Sequence, residues 1–132
     1  MTIINLSPRL VVSDAAKAID FYVAALGARE RQRHAGPDGR IVHAELALGP
    51  ATLAVKDAGD GDEAPPALGG TPVILTLQVD DVDEVAAAMT AAGAAVVYPV
   101  SDQEYGARDG RFRDPSGHLW IITQALAGTT AA

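Results

Sequence analysis

The feature that most constrains the fold is one pattern that recurs at half the length of the chain. Residues 11–28 read VVSDAAKAIDFYVAALGA, and residues 77–94 read LQVDDVDEVAAAMTAAGA. An offset of 66 residues aligns Asp14 with Asp80, and it also aligns the Gly-Ala pairs that end the two segments. A fixed offset with the same order of elements indicates a duplicated unit. The chain of 132 residues therefore predicts two halves with one fold.

Each of the two segments carries the local signals of a helix. Apolar residues spaced three and four positions apart form a single stripe in the first segment. These residues are Ala15, Ala18, Ile19, Tyr22 and Leu26. Asp14 suits the N-cap of this helix, and Gly27 suits the left-handed position after its last turn. In the second segment, Asp81 followed three residues later by Glu84 resembles a capping box.

Strands are predicted on both sides of each helix, so that each half is a βαβββ unit. We expect strands at residues 9–12, 40–48, 51–56, 73–79, 95–98, 110–113 and 118–124. The segment 40–48 alternates in polarity, which places His43 and Glu45 on the same face. Residues 57–72 and 98–110 are rich in Gly, Pro and polar residues, and this composition is typical of loops.

The order of these elements predicts one domain over residues 1–132. It consists of two modules at about 5–57 and 72–124, a linker at 58–71 and a flexible tail at 125–132.

Composition excludes several classes of function. The net charge of −7 argues against nucleic acid as a partner, because phosphate recognition needs clustered Lys and Arg. The same charge is compatible with a cationic ligand or with solubility alone. There is no Cys, hence no disulfide or thiolate zinc site. Neither a run of 18 apolar residues nor a signal peptide is visible, so we expect no membrane association and a cytoplasmic location.

Several blocks, taken in order, resemble one superfamily. They are SDAAKAIDFYVAALGA, HAELALG, GGTPVILTLQVDDVD and DQEYGARDGRFRDPSGHLW. Together they resemble the vicinal oxygen chelate superfamily of glyoxalases, bleomycin-resistance proteins and extradiol dioxygenases, and most of all its PhnB-like glyoxalase branch. The resemblance covers roughly residues 5–124.

The resemblance implies an α+β fold, in which two βαβββ modules form a cupped, incomplete mixed β-barrel with external helices. It also implies a homodimer and a cavity for a small molecule. Metal-dependent members hold a divalent ion with ligands from the first and last strand of each module.

Carried over to this chain, the four metal-ligand positions fall at Ser7, Val55, Ile74 and Ile121. Aliphatic side chains offer no lone pair to a metal ion, so we predict no metal and no other cofactor. An alternative is a displaced site, in which His43 and Glu45 join a third ligand such as Glu104.

A metal-free cavity that binds an apolar or planar molecule is the function that we favour, with sequestration, as in resistance proteins, as its purpose. The residues expected to contact the ligand are His43, Glu45, Gln103, Tyr105, Arg108, Arg111 and Trp120. The alternative is a lyase, isomerase or dioxygenase of the same superfamily, either metal-free with Glu45 as the acid or base or with a displaced metal. Whether the chain is an enzyme is left open.

Two of these residues have a structural alternative. If Glu45 and Arg111 both face the cavity, they can pair across it, and the pair would then be structural. Trp120 is adjacent to Ile121, so the two side chains face opposite ways along a strand. If Ile121 faces the cavity, Trp120 packs beneath the helices, and we favour this arrangement over a stacking role.

Overall fold

The structure, a computed structural model, describes residues 1–126. Within them the elements are β1 (Arg9–Val12), α1 (Ala15–Leu26), β2 (Arg29–Ala35), β3 (Ile41–Leu48), β4 (Ala51–Asp57), α2 (Pro65–Leu68), β5 (Ile74–Gln78), α3 (Val82–Ala91), β6 (Ala95–Asp102), β7 (Ala107–Arg113) and β8 (Leu119–Ala125). The predicted tail begins within β8, and its residues 127–132 lie outside the described residues.

The strands form two sheets with the same internal order. Sheet 1 runs β1-β4-β3-β2, and sheet 2 runs β5-β8-β7-β6. In each sheet the first strand lies parallel to the last, whereas the other neighbours are antiparallel. This repetition confirms the predicted α+β class with tandem βαβββ modules. Within residues 1–126 no strand of sheet 1 pairs with a strand of sheet 2, so the described chain holds two open sheets rather than a closed barrel.

Helices α1 and α3 start at equivalent side-chain caps. Asp14 accepts a hydrogen bond from the backbone nitrogen of Lys17 at 3.1 Å, and Asp81 accepts one from that of Glu84 at 3.1 Å. These acceptors satisfy N–H groups that have no partner inside the helix. The capping Asp14 and Asp81 are 67 residues apart, so the predicted alignment of Asp14 with Asp80 is wrong by one position.

A second pair of side chains confirms this spacing. The Asp57 carboxylate at the end of β4 accepts from the backbone nitrogen of Ala15 at 2.7 Å. The Gln124 amide oxygen in β8 accepts from that of Val82 at 2.9 Å. Both contacts join the last strand of a module to the first turn of its helix, and each residue lies 67 positions from its counterpart. An offset of 67 therefore relates the helix starts and the last strands.

The predicted strand pattern is wrong in two places. β2 was not expected, because its sequence RERQRHA has no apolar residue that alternates and all seven positions are exposed. Residues 98–110 were expected to be a loop, but most of them belong to β6 and β7, which a short turn connects. The linker also contains the single-turn helix α2, whose N-terminal Pro65 suits the first turn of a helix.

The core lies where the helices cover one side of each sheet. α1 packs against its own sheet and against α3, and α3 packs against sheet 2. The largest fully buried side chains are Tyr22, Phe112, Ile19, Leu46, Leu53, Met89, Ile122, Val12, Val55 and Val82. Members of both modules share this one cluster, so the two halves have a common core.

A buried carboxylate joins the two modules at the end of β7. Asp114 is 2% exposed and accepts hydrogen bonds from the Tyr22 hydroxyl at 2.5 Å and from Trp120 Nε1 at 3.0 Å. The backbone nitrogens of Ser116 and His118 donate to its other oxygen at 2.9 and 3.0 Å. These four donors use the acceptor capacity of a carboxylate. Burial and the nearby Asp114 charge raise the pKa of Tyr22, which keeps its donating proton.

We predict that Tyr22→Phe lowers the free energy of unfolding by about 1–3 kcal/mol, because it leaves a buried carboxylate oxygen short of one donor. Urea denaturation of both proteins measures this difference. Tyr98→Phe is the control, since the Tyr98 hydroxyl has no hydrogen-bond partner in the described part of the chain; we expect a change below about 0.5 kcal/mol. Equal losses in the two variants would contradict the role assigned to Asp114.

Candidate functional site

Each sheet has one side that the helices do not cover, which we call its helix-free face. Side chains alternate along β3 and β4, so Leu46 and Val55 pack toward the helices. Glu45 and Ala54 are cross-strand partners on the opposite side. In sheet 2, Phe112 and Trp120 pack toward the helices, while their neighbours in β7 and β8 take the helix-free face.

A polar network covers the helix-free face of sheet 1. Arg9 Nη2 donates to His43 Nδ1 at 3.0 Å. His34 Nε2 donates to Gln32 Oε1 at 2.9 Å, and Gln32 Nε2 donates to Glu45 Oε2 at 2.5 Å. The His34 and His43 rings stack with centroids 6.4 Å apart. The network therefore brings the predicted His43 and Glu45 together, and it links Glu45 through an amide to a second imidazole.

Lys56 closes one end of the same face. Its side chain is 9% exposed, and its ammonium donates to Asp62 Oδ2 at 2.7 Å and to the carbonyl of Gly59 at 3.3 Å. The hydrogen bond from Lys56 lowers the pKa of Asp62. This contact fixes the start of the linker against β4.

The helix-free face of sheet 2 pairs two charged residues with two tyrosines. The Arg111 guanidinium lies 5.3 Å from the centroid of the Tyr98 ring, within the range of a cation–π contact. The Tyr105 hydroxyl donates to Asp109 Oδ2, and this hydrogen bond raises the pKa of Tyr105 to about 12. Asp109 is only 3% exposed. Ile121 is the cross-strand partner of Arg111 on this face.

The other predicted contact residues lie elsewhere. Arg108 is on the helix side of sheet 2, where its guanidinium bonds Asp83 at 2.9 and 3.0 Å and Asp102 at 3.1 Å. Trp120 is buried beneath the helices beside Asp114, as the alternation with Ile121 predicted. Gln103 lies in the turn between β6 and β7. Its side chain bonds Ser101.

The sequence does not single out Asp109, because the composition of residues 98–110 predicts a loop. The available signal was its position two residues before Arg111, which places both side chains on one strand face. The predicted pairing of Glu45 with Arg111 does not occur among residues 1–126, since Glu45 bonds Gln32 and Arg111 packs on Tyr98.

The residues at the family metal positions do not fit a metal ion. Ile121 lies on the helix-free face, and its counterpart 67 residues earlier is Ala54. Val55, expected to point inward, is instead fully buried on the helix side. Ser7 precedes β1, and Ile74 begins β5. Among the side chains at these positions, the Ser7 hydroxyl is the only oxygen. A stable site needs three or four nitrogen, oxygen or sulfur ligands.

The alternative metal ligands are not assembled either. In the described ranges no three His, Asp or Glu side chains come close enough to hold a metal ion, and this includes His43, Glu45 and Glu104. None of the helices within residues 1–126 has the length and apolar character needed to cross a lipid bilayer.

An apolar groove of about 570 Å³ lies on the helix side of sheet 2, between α3 and β6. Ala86, Ala87 and Ala91 form its helix wall, and Phe112 lies on its strand side. Short alanine side chains leave space between a helix and a sheet that larger residues would fill. The groove is therefore a second surface on which an apolar molecule can bind.

The comparison that decides the family covers most of the chain. Residues 4–122 match the model of the Glyoxalase/Bleomycin resistance protein/Dioxygenase superfamily. The chain belongs to this superfamily. Its sheet order and its paired βαβββ modules agree with that membership. The PhnB-like placement stays a prediction.

Individual relatives extend this result. The chain is 46% identical over 126 residues to the uncharacterized protein Rv0887c of Mycobacterium tuberculosis, a match that covers 92% of this chain and 74% of the relative. It is 34% identical in sequence to TioX from Micromonospora sp. ML1. The crystal structure of TioX matches with a TM-score of 0.76 over 92% of this chain and 98% of TioX. The Arabidopsis thaliana gene product AT5G48480 is 25% identical, with a TM-score of 0.74 over 92% and 98% of the two chains.

We predict that Asp109→Asn lowers the pKa of Tyr105 from about 12 toward the ordinary value near 10. The negative carboxylate holds the phenol proton, and a neutral amide holds it less strongly. Titration of the labelled Tyr105 ring by NMR gives the value. Asp102→Asn serves as the control and should leave the Tyr105 titration unchanged; a fall in both variants would rule out the specific contact.

Proposed function

We propose that this protein binds a small apolar or planar molecule without a metal ion. The observation that supports this most directly is the pair Ala54 and Ile121, which occupy equivalent places on the two helix-free faces. Aliphatic side chains bind apolar ligands by removing surface from water, and they coordinate no cation. The Tyr98 ring beside Arg111 adds a flat aromatic wall that suits a planar molecule.

We propose further that a second copy of the chain completes the cavity, so that the protein acts as a homodimer. Both helix-free faces lack a covering layer of helix within residues 1–126, and β1 and β5 each pair on one side only. Exposed apolar side chains lie on or beside sheet 2, including Val73, Ile74, Val96 and Val97. Clustered apolar exposure of this kind marks interaction surfaces.

Sequestration is the role that we assign to this binding. The superfamily includes bleomycin-resistance proteins, and the net charge of −7 suits a ligand with some cationic character. A protein that holds its ligand without converting it needs affinity but no reacting group. The predicted cytoplasmic location stays a prediction.

A metal-free lyase or isomerase is the second candidate, and the network on sheet 1 is what favours it. Glu45, Gln32 and His34 form a hydrogen-bonded chain between a carboxylate and an imidazole. A carboxylate held this way can accept a proton from a bound substrate. Under this reading Glu45→Gln abolishes turnover and leaves ligand affinity unchanged, whereas sequestration requires that no turnover exist.

We predict that the neutral planar dye Nile red binds the full chain in the presence of excess chelator, and that Ile121→Glu weakens this binding at least about tenfold. The reason is that the variant places a charge at the aliphatic position that is proposed to contact the ligand, where desolvation opposes it. Fluorescence titration measures the affinity, and analytical ultracentrifugation reports the dimer. Val23→Glu on the exposed side of α1 is the matched control and should bind normally.

Ala91→Leu fills the groove between α3 and β6. This variant therefore distinguishes a ligand bound in the groove from a ligand bound beside Ile121. Loss of Nile red binding in this variant, together with normal binding by Ile121→Glu, would assign the ligand to the groove and contradict the proposal. Binding that disappears when chelator is added would contradict it as well.

A further inference from the structure

Two polar atoms on β7 lack any partner within residues 1–126. They are Asp109 Oδ1 and Arg111 Nε, and both are buried. Asp109 and Arg111 stand two positions apart on one strand, so their side chains share the helix-free face with Cα atoms about 6.6 Å apart. Buried polar atoms are almost always paired, and an unpaired one indicates a missing partner.

The neighbouring residues of the chain do not supply these partners. Asp109 Oδ2 already accepts from Tyr105, and the backbone neighbours of Asp109 across the sheet are Ser101 and Thr123. Arg111 lies over the Tyr98 ring and faces the aliphatic Ile121. The Asp109 carboxylate and the Arg111 guanidinium are not ion-paired with each other or with any other described residue.

The two unpaired atoms on β7 require a hydrogen-bond donor and a hydrogen-bond acceptor next to each other. Asp109 Oδ1 needs a donor, and Arg111 Nε–H needs an acceptor. A simple cation would gain at Asp109 but would meet the charge of Arg111, and a simple anion has the reverse difficulty. A neutral amide offers an N–H donor and a carbonyl acceptor at short separation, so it satisfies both atoms without net charge.

We propose that Asp109 and Arg111 recognise an amide group on a planar ligand, with its N–H directed to Asp109 Oδ1 and its carbonyl oxygen to Arg111 Nε. This inference rests on the proposed small-molecule binding and names the polar group of the ligand. A ligand reaches Asp109 by displacing Tyr105, which is 70% exposed and whose hydroxyl bonds the same carboxylate. Tyr98 provides the stacking surface beside the amide.

The test compares naphthamide, acetylnaphthalene and naphthalene as probes in calorimetric titrations of the full chain. These probes share one ring system and offer a donor with an acceptor, an acceptor alone, and neither. We expect naphthamide to bind at least about tenfold more tightly than acetylnaphthalene, because a site with a buried acceptor rejects a ligand that leaves it unpaired. In Asp109→Ala this preference disappears, and in Arg111→Met both carbonyl probes approach naphthalene in affinity.

Asp102→Ala and Arg113→Met are the matched controls, since they remove the same side-chain types near the ends of β6 and β7; both should keep the preference. Asp109→Asn replaces Asp109→Ala if circular dichroism shows that the alanine variant is unfolded, and we expect a reduced preference.

Each other outcome overturns the inference in a distinguishable way. Equal affinity for naphthamide and acetylnaphthalene in the unmodified chain overturns the amide site and leaves apolar binding intact. A preference that survives Asp109→Ala places the amide elsewhere. Weaker dimerisation of Asp109→Ala with an unchanged preference assigns the two atoms to contact between copies. Failure of all three probes to bind while Nile red still binds overturns this inference alone, whereas failure of Nile red as well contradicts the proposed function.

Discussion

The hydrogen bonds of Asp114 are the interaction on which the arrangement of the two modules depends. One carboxylate takes donors from α1, from β8 and from its own turn, and the contact with Tyr22 spans 92 positions of sequence. A carboxylate that is 2% exposed is stable in the folded chain only while these donors surround it. His118 strengthens the same junction, because its Nε2 donates to the carbonyl of Val11 at 2.8 Å.

This junction decides which side chains of β8 face the helices. With Trp120 bonded to Asp114, alternation directs Ile122 into the core and leaves Ile121 on the other side with Arg111. In the first module, Asp57 binds the start of α1 as Gln124 binds the start of α3, and Val55, two positions before Asp57, is buried on the helix side. The helix-free faces are thus the sides of the sheets that do not pack in the core, and the polar side chains of the candidate site lie on them.

How much the sequence predicted depends on how local each signal is. The caps Asp14 and Asp81 and the alternation around Glu45 were predictable, because they arise from neighbouring residues and direct hydrogen bonds. β2 was not predictable, since an exposed edge strand of polar residues carries no alternation. The predicted orientation of the Val55 side chain is wrong for a different reason. The Gly-Ala pairs repeat at 66 residues, whereas the caps and last strands repeat at 67, and a slip of one position reverses the face of a strand.

The candidate site was predicted only in part for the same reasons. His43, Glu45, Tyr105 and Arg111 do lie on the helix-free faces, because strand alternation alone places most of them. Alternation with Arg111 indicates the strand face of Asp109, but nothing in a sequence tells a buried carboxylate from a solvated one. Arg108 lies three positions before Arg111, so the two side chains take opposite faces of β7. Only the register of β7 shows that Arg108 is the one on the helix side, beside Asp83.

The central claim is that this chain keeps the superfamily scaffold while three of the four positions at which a metal would be held carry aliphatic residues. Equilibrium dialysis of the full chain against manganese, zinc, nickel or iron, with the bound metal measured by mass spectrometry, tests it most directly. The account predicts far less than one ion per chain and no effect of chelator on ligand binding. One tightly held ion per chain that only a chelator removes would contradict it.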